Sequence, residues 1–293
     1  MPANIDVRKR MMNLMDSFSK SRKRIAHYII NNFDSAPFMT AAKLANVVDT
    51  SESTVVRFAV ELGFEGYPEM AKAMQEQARN SLTSVQRMRM ANDTIDRKDV
   101  LKSVLKADIA RIKETMEDID RGTFNRIVEK LINAKKIYIL GVRSSAALAM
   151  YLGFYFNLIF DNVHLVQTTS ASEVFEQILG AGEDDVVIGI SFPRYSKRTS
   201  KAMEYTGKKG AYVVAISDSV NAPIAKWADS TLIAHSDMTS FVDSLTAPLS
   251  VINALIVAAG LKRETKVMGT LTSLEKIWDE YQVYEKDDLK ESK

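Results

Sequence analysis

The 293-residue chain contains no cysteine, which excludes disulfide bonds, thiolate metal ligands and cysteine nucleophiles. It has no apolar run long enough to span a bilayer, and its charged N-terminus lacks the apolar core of a signal peptide. The net charge of +2 is too small to indicate a nucleic-acid partner by itself. We therefore expect a soluble cytoplasmic protein of one large or two ordinary domains, with no membrane partner.

Positive charge is concentrated near the N-terminus rather than spread along the chain. Only Asp6 and Asp16 oppose the basic residues of the first 24 positions, which are Arg8, Lys9, Arg10, Lys20, Arg22, Lys23 and Arg24. Such a patch is suited to phosphate contacts, and it is equally typical of a solvated helix face. The patch therefore indicates nucleic-acid binding only if a nucleic-acid-binding motif lies beside it.

Residues 40–64 have the pattern of two short helices joined by a polar turn. Small apolar residues give the first helix an inward face, namely Ala41, Ala42, Leu44, Ala45 and Val48. The turn is a cluster of N-cap residues, Asp49, Thr50 and Ser51, and Asp49 with Glu52 three positions later resembles a capping box. Gly63 is placed to end the second helix.

The second helix of this stretch has two contrasting faces. Val55, Ala59 and Leu62 recur at helical spacing and are expected to pack inward. The opposite face is polar and carries Ser53, Thr54, Arg57 and Glu61. This arrangement is typical of a DNA-reading helix-turn-helix, and it is shared by other pairs of amphipathic helices.

The rest of the chain changes character twice. A helical domain over residues 1–79 is followed by a polar linker over 80–107 and a second domain over 108–285. The helix expected from about Val100 to Ile119 would place Val104, Ile109, Ile112 and Met116 inward. Beyond it, short β-branched runs alternate with helices, which predicts an α/β fold with a doubly wound parallel sheet.

Two loops of the second domain are rich in hydroxyls and cations. Each follows a predicted strand, at the sheet edge where ligands of such folds bind. The first loop contains Gly141, Arg143, Ser144 and Ser145, and the second contains Ser191, Arg194 and Ser196, followed by Lys197, Arg198 and Thr199. These residue types suit an anion, phosphate above all, although serines at such places often only cap helices.

Catalytic and metal-binding patterns are sparse. An isomerase would need an acid/base residue beside its substrate, and Glu173 is the best candidate. His27, His164 and His235 are most simply structural, and no cluster of His, Asp or Glu has metal-ligand spacing. We therefore predict no metal and no cofactor.

Together these motifs resemble the RpiR/MurR family of bacterial regulators, in which a helix-turn-helix precedes a sugar isomerase (SIS) domain. The resemblance rests on SESTVVRFAVELGFEGYPEM, GVRSSAALA, ISFPRYSKRT and KKGAYVVAISDS, and it covers nearly the whole chain. Two departures stand out. Arg143 stands at the position of the second glycine in the family's Gly-x-Gly-x-Ser loop. Pro193 and Arg194 stand at the positions of the central Ser and Gly in its Ser-x-Ser-Gly-x-Thr loop.

The resemblance implies a regulator of carbohydrate genes that binds a palindromic operator as a homodimer or homotetramer. A phosphorylated sugar would lie between the two loops, contacted by Gly141, Arg143, Ser144, Ser145, Glu173, Ser191, Arg194 and Ser196. DNA contacts are expected from Ser51, Ser53, Thr54, Arg57, Lys20, Arg22, Lys23 and Arg24. The alternative is a sugar-phosphate isomerase, since SIS domains serve both enzymes and sensors.

Overall fold

The computed structural model describes residues 6–79, 83–88, 95–167, 170–236 and 242–284, which fall into two compact units. The first unit is drawn from Met1–Ala107 with Asp237–Ser244, and the second from Asp108–Ser236 with Leu245–Lys293. The linker predicted over 80–107 lies outside the described residues at 80–82 and 89–94, as does position 285, the expected end of the second domain. The described part of the linker contains a helical turn at 84–88.

The first unit begins with helices that surround a common apolar core. Val55, Ala59 and Leu62 are buried in it, as expected, whereas Ala42 is exposed because the first helix of the motif turns Leu44 toward the core. The helices are α1 (Val7–Asn13), α2 (Lys20–Asn31), α3 (Ala41–Val47), α4 (Glu52–Glu61) and α5 (Tyr67–Arg79).

The turn between α3 and α4 differs from the expected capping box. Ser51 caps α4, because its Oγ accepts a hydrogen bond from the backbone N–H of Thr54 at 3.3 Å. Asp49 instead lies in the left-handed region with a φ of 52°, a conformation that aspartate tolerates better than most residues. The capping-box prediction was therefore wrong by two positions.

Gly63 ends α4 as predicted. Its φ is 86°, and the backbone N–H groups of Gly63 and Phe64 donate to the carbonyls of Val60 and Ala59 at 2.9 and 3.1 Å. This is a Schellman ending, which places a residue with positive φ directly after the helix cap. The motif therefore has a sharply defined C-terminal boundary.

A buried ion pair closes the first unit. Arg87 is only 3% exposed, and its Nη1 donates to both carboxylate oxygens of Asp243 at 2.7 and 2.9 Å. Asp243 lies in the connection between the last strand and the helix that follows it, so the chain leaves the second unit there and later returns to it.

The second unit is built on a five-stranded sheet in which every pairing is parallel, in the order β2-β1-β3-β4-β5. Every residue of β1 and β3 is buried, as expected for strands covered on both faces. The predicted doubly wound α/β fold is confirmed. Helix α6 (Val100–Asp118) crosses the division between the two units, which falls after Ala107. The later elements are α7 (Arg121–Asn133), β1 (Ile137–Gly141), α8 (Ser144–Ile159), β2 (Val163–Val166), α9 (Ala171–Ile178), β3 (Val186–Ile190), α10 (Lys197–Lys208), β4 (Tyr212–Ser217), β5 (Ser230–Ile233), α11 (Thr246–Lys262) and α12 (Glu264–Glu280).

Helix α6 does not pack as the sequence predicts. Ile109, Ile112 and Met116 are exposed rather than inward, and Thr115 is the buried residue of this fully described helix. The helix is held by polar contacts instead. Thr115 Oγ1 accepts a hydrogen bond from the backbone N–H of His235 at 2.8 Å, and Asp118 Oδ2 is hydrogen-bonded to His235 Nε2 at 2.7 Å. These contacts orient α6 with its apolar residues toward solvent.

Candidate functional site

Four of the predicted DNA-contacting residues form one hydrogen-bonded cluster at the start of α4. Ser51 Oγ lies 3.0 Å from Ser53 Oγ and 2.8 Å from Thr54 Oγ1. The Arg57 guanidinium folds back over the same turn, where its Nε donates to the Ser53 carbonyl at 3.2 Å. The first turn of a helix also presents unpaired backbone N–H groups. The cluster is therefore an exposed surface of hydrogen-bonding groups with one positive charge.

The basic residues at the start of α2 divide into two kinds. Arg24 donates to the carbonyl and carboxylate of Asp49 at 2.7 and 3.2 Å, and Arg22 pairs with Glu61 at 2.9 Å. These two arginines thus link α2 to the turn before α4 and to the last residue of α4. Sequence reasoning missed both pairs, because the partners are far apart in the chain and follow no local spacing.

The other two basic residues at the start of α2 are Lys20 and Lys23. Lys20 is exposed and Lys23 is half-buried. Neither takes part in an ion pair within the part of the chain that the structure describes. They are therefore the cations at the start of α2 that remain available to a phosphate.

The two hydroxyl-rich loops of the second unit flank the switch point of the sheet. Strand order β2-β1-β3 places β1 beside β3, and the chain turns away from the two strands in opposite directions along the sheet. A crevice at the carboxyl ends of such strands is the usual ligand site of doubly wound folds. Helices α8 and α10 begin directly after these loops, so their N-termini add unpaired N–H groups at the same edge.

The first loop is tightly closed around Gly141. A Cβ added there would overlap the carbonyl oxygen of Ser145 and lie 3.0 Å from the Ala149 Cβ, so only glycine fits. Ser145 is 4% exposed, whereas Arg143 and Ser144 are exposed. Arg143 has a φ of 58° and a ψ of −126°, a conformation that favours glycine. This explains why the family pattern carries glycine at that position.

The second loop uses its serines to close on itself. Ser191 Oγ accepts from the Ser196 N–H at 3.1 Å, and Ser196 Oγ caps α10 by accepting from the Thr199 N–H at 3.2 Å. The capping alternative therefore applies to Ser196. Each hydroxyl keeps a proton that it can donate to an anion. Arg194 is exposed beside them.

Two further residues complete this edge, of which Asp218 was not foreseen from the sequence. Asp218, just after β4, accepts a hydrogen bond from the Tyr195 hydroxyl at 2.8 Å and thereby ties the second loop to the neighbouring strand. Thr199 is 1% exposed, and its hydroxyl has no hydrogen-bond partner among the described residues. Buried hydroxyls are usually satisfied, so this one marks an incomplete polar environment.

The candidates for acid/base and metal chemistry lie on separate elements of the structure. Glu173 is exposed on the first turn of α9, and β1 separates its strand, β2, from the loop after β3. Part of the connection before α9, residues 168–169, lies outside the described residues. His164 stacks on Tyr138 with 5.0 Å between ring centroids. Across the described ranges, no group of three His, Asp or Glu residues is arranged to hold a metal ion, and no helix is long and apolar enough to cross a bilayer.

Comparison with known families matches both units. The family model described as the helix-turn-helix domain of the rpiR family matches residues 5–81, and the SIS domain model matches residues 130–258. The chain thus joins a helix-turn-helix domain of the rpiR family to a SIS domain, the architecture of RpiR-family transcriptional regulators. Its two-part architecture is thus the one that the sequence resemblance implied.

Individual proteins named as transcriptional regulators align along most of the chain. The HTH-type transcriptional regulator HexR of Escherichia coli is 25% identical over 274 residues, covering 90% of this chain and 91% of HexR. An uncharacterised HTH-type transcriptional regulator of Caldanaerobacter subterraneus is 25% identical over 286 residues, covering 93% of this chain and 96% of its own. The solved structure of Vibrio vulnificus NanR complexed with ManNAc-6P covers 94% of this chain and 99% of its own, with a TM-score of 0.58 and 20% identity. At that identity the likeness to NanR shows a shared fold.

Proposed function

We propose that this RpiR-family regulator controls carbohydrate-metabolism genes in the cytoplasm. It binds a palindromic operator as a homodimer or homotetramer, with half-sites about one helical turn apart (roughly 34 Å) or a multiple of that. A phosphorylated sugar or related anion bound by the SIS domain modulates operator binding. The observation that carries the proposal is the cluster of Ser51, Ser53, Thr54 and Arg57 on the exposed face of α4.

In the DNA-bound state, α4 lies in the major groove and the cluster reaches base edges or phosphates. Lys20 and Lys23 contact the backbone and fix the register without reading sequence. Arg22 and Arg24 act mainly by holding α4 through Glu61 and Asp49, which extends the phosphate role expected for them. Specificity then depends on a rigid helix rather than on flexible side chains alone.

The effector binds in the crevice between the loops after β1 and β3. Arg143 and Arg194 supply positive charge, and the free N–H groups of α8 and α10 supply donors. The complex of NanR with ManNAc-6P supports a phosphosugar as the ligand class. An effector can shift operator affinity only by binding the two states of the protein with different strength.

A non-catalytic role is favoured over isomerisation. The relatives that cover nearly the whole chain are named transcriptional regulators, and a helix-turn-helix has no use in an isomerase. Glu173 is the residue that an isomerase would depend on. Interconversion of aldose and ketose phosphates by the wild-type chain that is lost in Glu173→Gln would overturn this part of the proposal.

The DNA-binding part is tested by selecting bound fragments from a random pool and measuring affinity for the selected site. Arg57→Glu should weaken binding by about 1–3 kcal/mol, roughly tenfold to a hundredfold. Lys72→Glu is the charge-matched control, because Lys72 lies exposed on α5 outside the cluster. Equal affinities of the two variants would remove Arg57 from the reading surface.

The effector part is tested by a thermal-shift screen of phosphorylated sugars beside their unphosphorylated forms. Binding to the folded state alone contributes about 2.7 kcal/mol at 100 times the dissociation constant. The double variant Arg143→Ala with Arg194→Ala should lose the response. These exposed arginines are better probes than Ser196, because Ser196→Ala also removes the cap of α10. A full response in the double variant would place the ligand elsewhere.

A further inference from the structure

Helix α6 carries an apolar face with no counterpart in the described chain. Five large side chains are exposed on it: Leu101 at 73%, Met116 at 66%, Ile109 at 53%, Leu105 at 52% and Ile112 at 36%. At 100° per residue they fall within an arc of about 80°, and no charged residue of the helix lies inside that arc. We call these five residues the α6 stripe.

The α6 stripe is the reverse of ordinary helix packing. A surface helix normally buries its apolar stripe and exposes its polar residues. Here Thr115 is the buried residue, and the contacts that fix the helix are polar: Thr115 and Asp118 to His235, and Asp108 to Thr246 at 3.0 Å. Polar groups therefore anchor α6, while no part of the chain that the structure describes covers its apolar side.

The size of the stripe suits an interface between two chains. The five side chains expose on the order of 500 Å², near the upper end of apolar patches on monomers. Two such faces in contact bury about 1,000 Å² from these residues alone, which is the size at which a specific interface is expected.

The spacing of the stripe is self-complementary. In an antiparallel pair with its two-fold axis beside Ile109, Leu101 lies opposite Met116 and Leu105 lies opposite Ile112. Each apolar side chain then meets another one, as an isologous contact requires. The same surface on both copies thus covers itself without leaving a member of the stripe unmatched.

Charge favours the same antiparallel arrangement. The N-terminal half of α6 has a net positive charge, with two lysines (Lys102 and Lys106) and one acidic residue (Asp108). The C-terminal half has a net negative charge, with three acidic residues (Glu114, Glu117 and Asp118) and two basic ones (Arg111 and Lys113). An antiparallel pair sets the positive half of each helix against the negative half of the other, and opposed macrodipoles add to this preference.

We infer that α6 is a homodimerisation helix, and that the partner covering the α6 stripe is a second copy of this chain in antiparallel orientation. The inference gives the proposed homo-oligomer a surface. It rests on the proposed function only in that a two-fold pair carries two DNA-reading helices, and the pairing itself is tested without DNA or effector.

The first experiment is a molar-mass measurement by light scattering after size exclusion. The wild type should have at least twice the 32.8 kDa chain mass, and Ile109→Glu should halve it. Leu261→Glu is the matched control, because Leu261 is 69% exposed on α11. The inference is overturned if the wild type is monomeric, if Ile109→Glu keeps the molar mass of the wild type, or if Leu261→Glu dissociates the assembly.

The second experiment does not depend on breaking the assembly. Because the chain has no cysteine, a single introduced thiol reports one contact. A disulfide needs Cα atoms about 4.4–6.8 Å apart, which two copies reach only near their symmetry axis. Ile109→Cys should form a covalent dimer on mild oxidation, whereas Leu261→Cys should not. Failure of Ile109→Cys to cross-link while the chain is dimeric, or equal cross-linking at Leu261, places the interface elsewhere.

Discussion

The backbone of Arg143 stores strain at the anion loop, and this can be measured. Its φ of 58° and ψ of −126° lie in a region that glycine adopts readily and that residues with a Cβ rarely adopt. For arginine this backbone conformation costs of order 1–3 kcal/mol. The side chain is exposed and makes no capping hydrogen bond to α8, so its loss removes little packing. Glycine also gains entropy in the unfolded chain, which offsets roughly 0.5–1 kcal/mol of the relief. We expect Arg143→Gly to raise the free energy of unfolding by about 1 kcal/mol.

Arg143→Ala is the control that separates backbone from charge. It removes the same guanidinium and keeps the Cβ, so it retains the strain. Urea unfolding of the two variants at one protein concentration should therefore place the glycine variant about 1 kcal/mol or more above the alanine variant. Both should bind anions equally poorly. Indistinguishable unfolding free energies would refute the strain argument and would mean that the loop relaxes around any residue.

Three further outcomes follow from single contacts. Gly141→Ala should lower the free energy of unfolding by about 1–3 kcal/mol, because the added Cβ overlaps the backbone. Gly269→Ala should raise it by about 0.5–1 kcal/mol, because Gly269 lies inside α12 with open space around it. Urea unfolding midpoints test both expectations. Thr199→Val should leave thermal stability unchanged or higher, because no described partner loses a hydrogen bond. Burial raises the pKa of Tyr67 to about 12 from an ordinary 10.0, so the stability that its neutral form contributes is full below pH 10 and is lost as the pH rises through about 12. The stability advantage of the wild type over Tyr67→Phe, which lacks the hydrogen bond to the Met39 carbonyl, should therefore be smaller at pH 11 than at pH 9.

Features with a local cause could be predicted from the sequence. The inward positions of α4 follow from periodicity, and the end of α4 follows from Gly63, since the side chains involved lie within a few turns of one another. The parallel sheet follows from strands that are apolar on both faces, such as β1 and β3. The loops after these strands were found as candidate sites for the same reason.

Features set by distant partners could not be predicted. Asp49 accepts hydrogen bonds from Arg24, and Ser51 is the residue that caps α4, although both Asp49 and Ser51 have capping chemistry. Periodicity finds the apolar side of α6, but it does not say whether that side faces the core or another chain. The hydrogen bond of Tyr195 to Asp218 joins two loops whose spacing carries no signal. The contacts of Arg24 with Asp49 and of Tyr195 with Asp218 each span more than 20 residues of sequence.

The ion pair of Arg87 with Asp243 bears on how such regulators can be recombined. The described residues 242–244 group with the first unit while the chain on either side belongs to the second, so no single cut between positions 107 and 108 separates the two units cleanly. In a chimera that joins this SIS domain to a foreign helix-turn-helix, the Asp243 carboxylate would lose the Arg87 guanidinium that pairs with it. Breaking a buried pair from one side costs about 3–5 kcal/mol. Exchange of sensor domains between relatives therefore requires that both halves of this contact travel together.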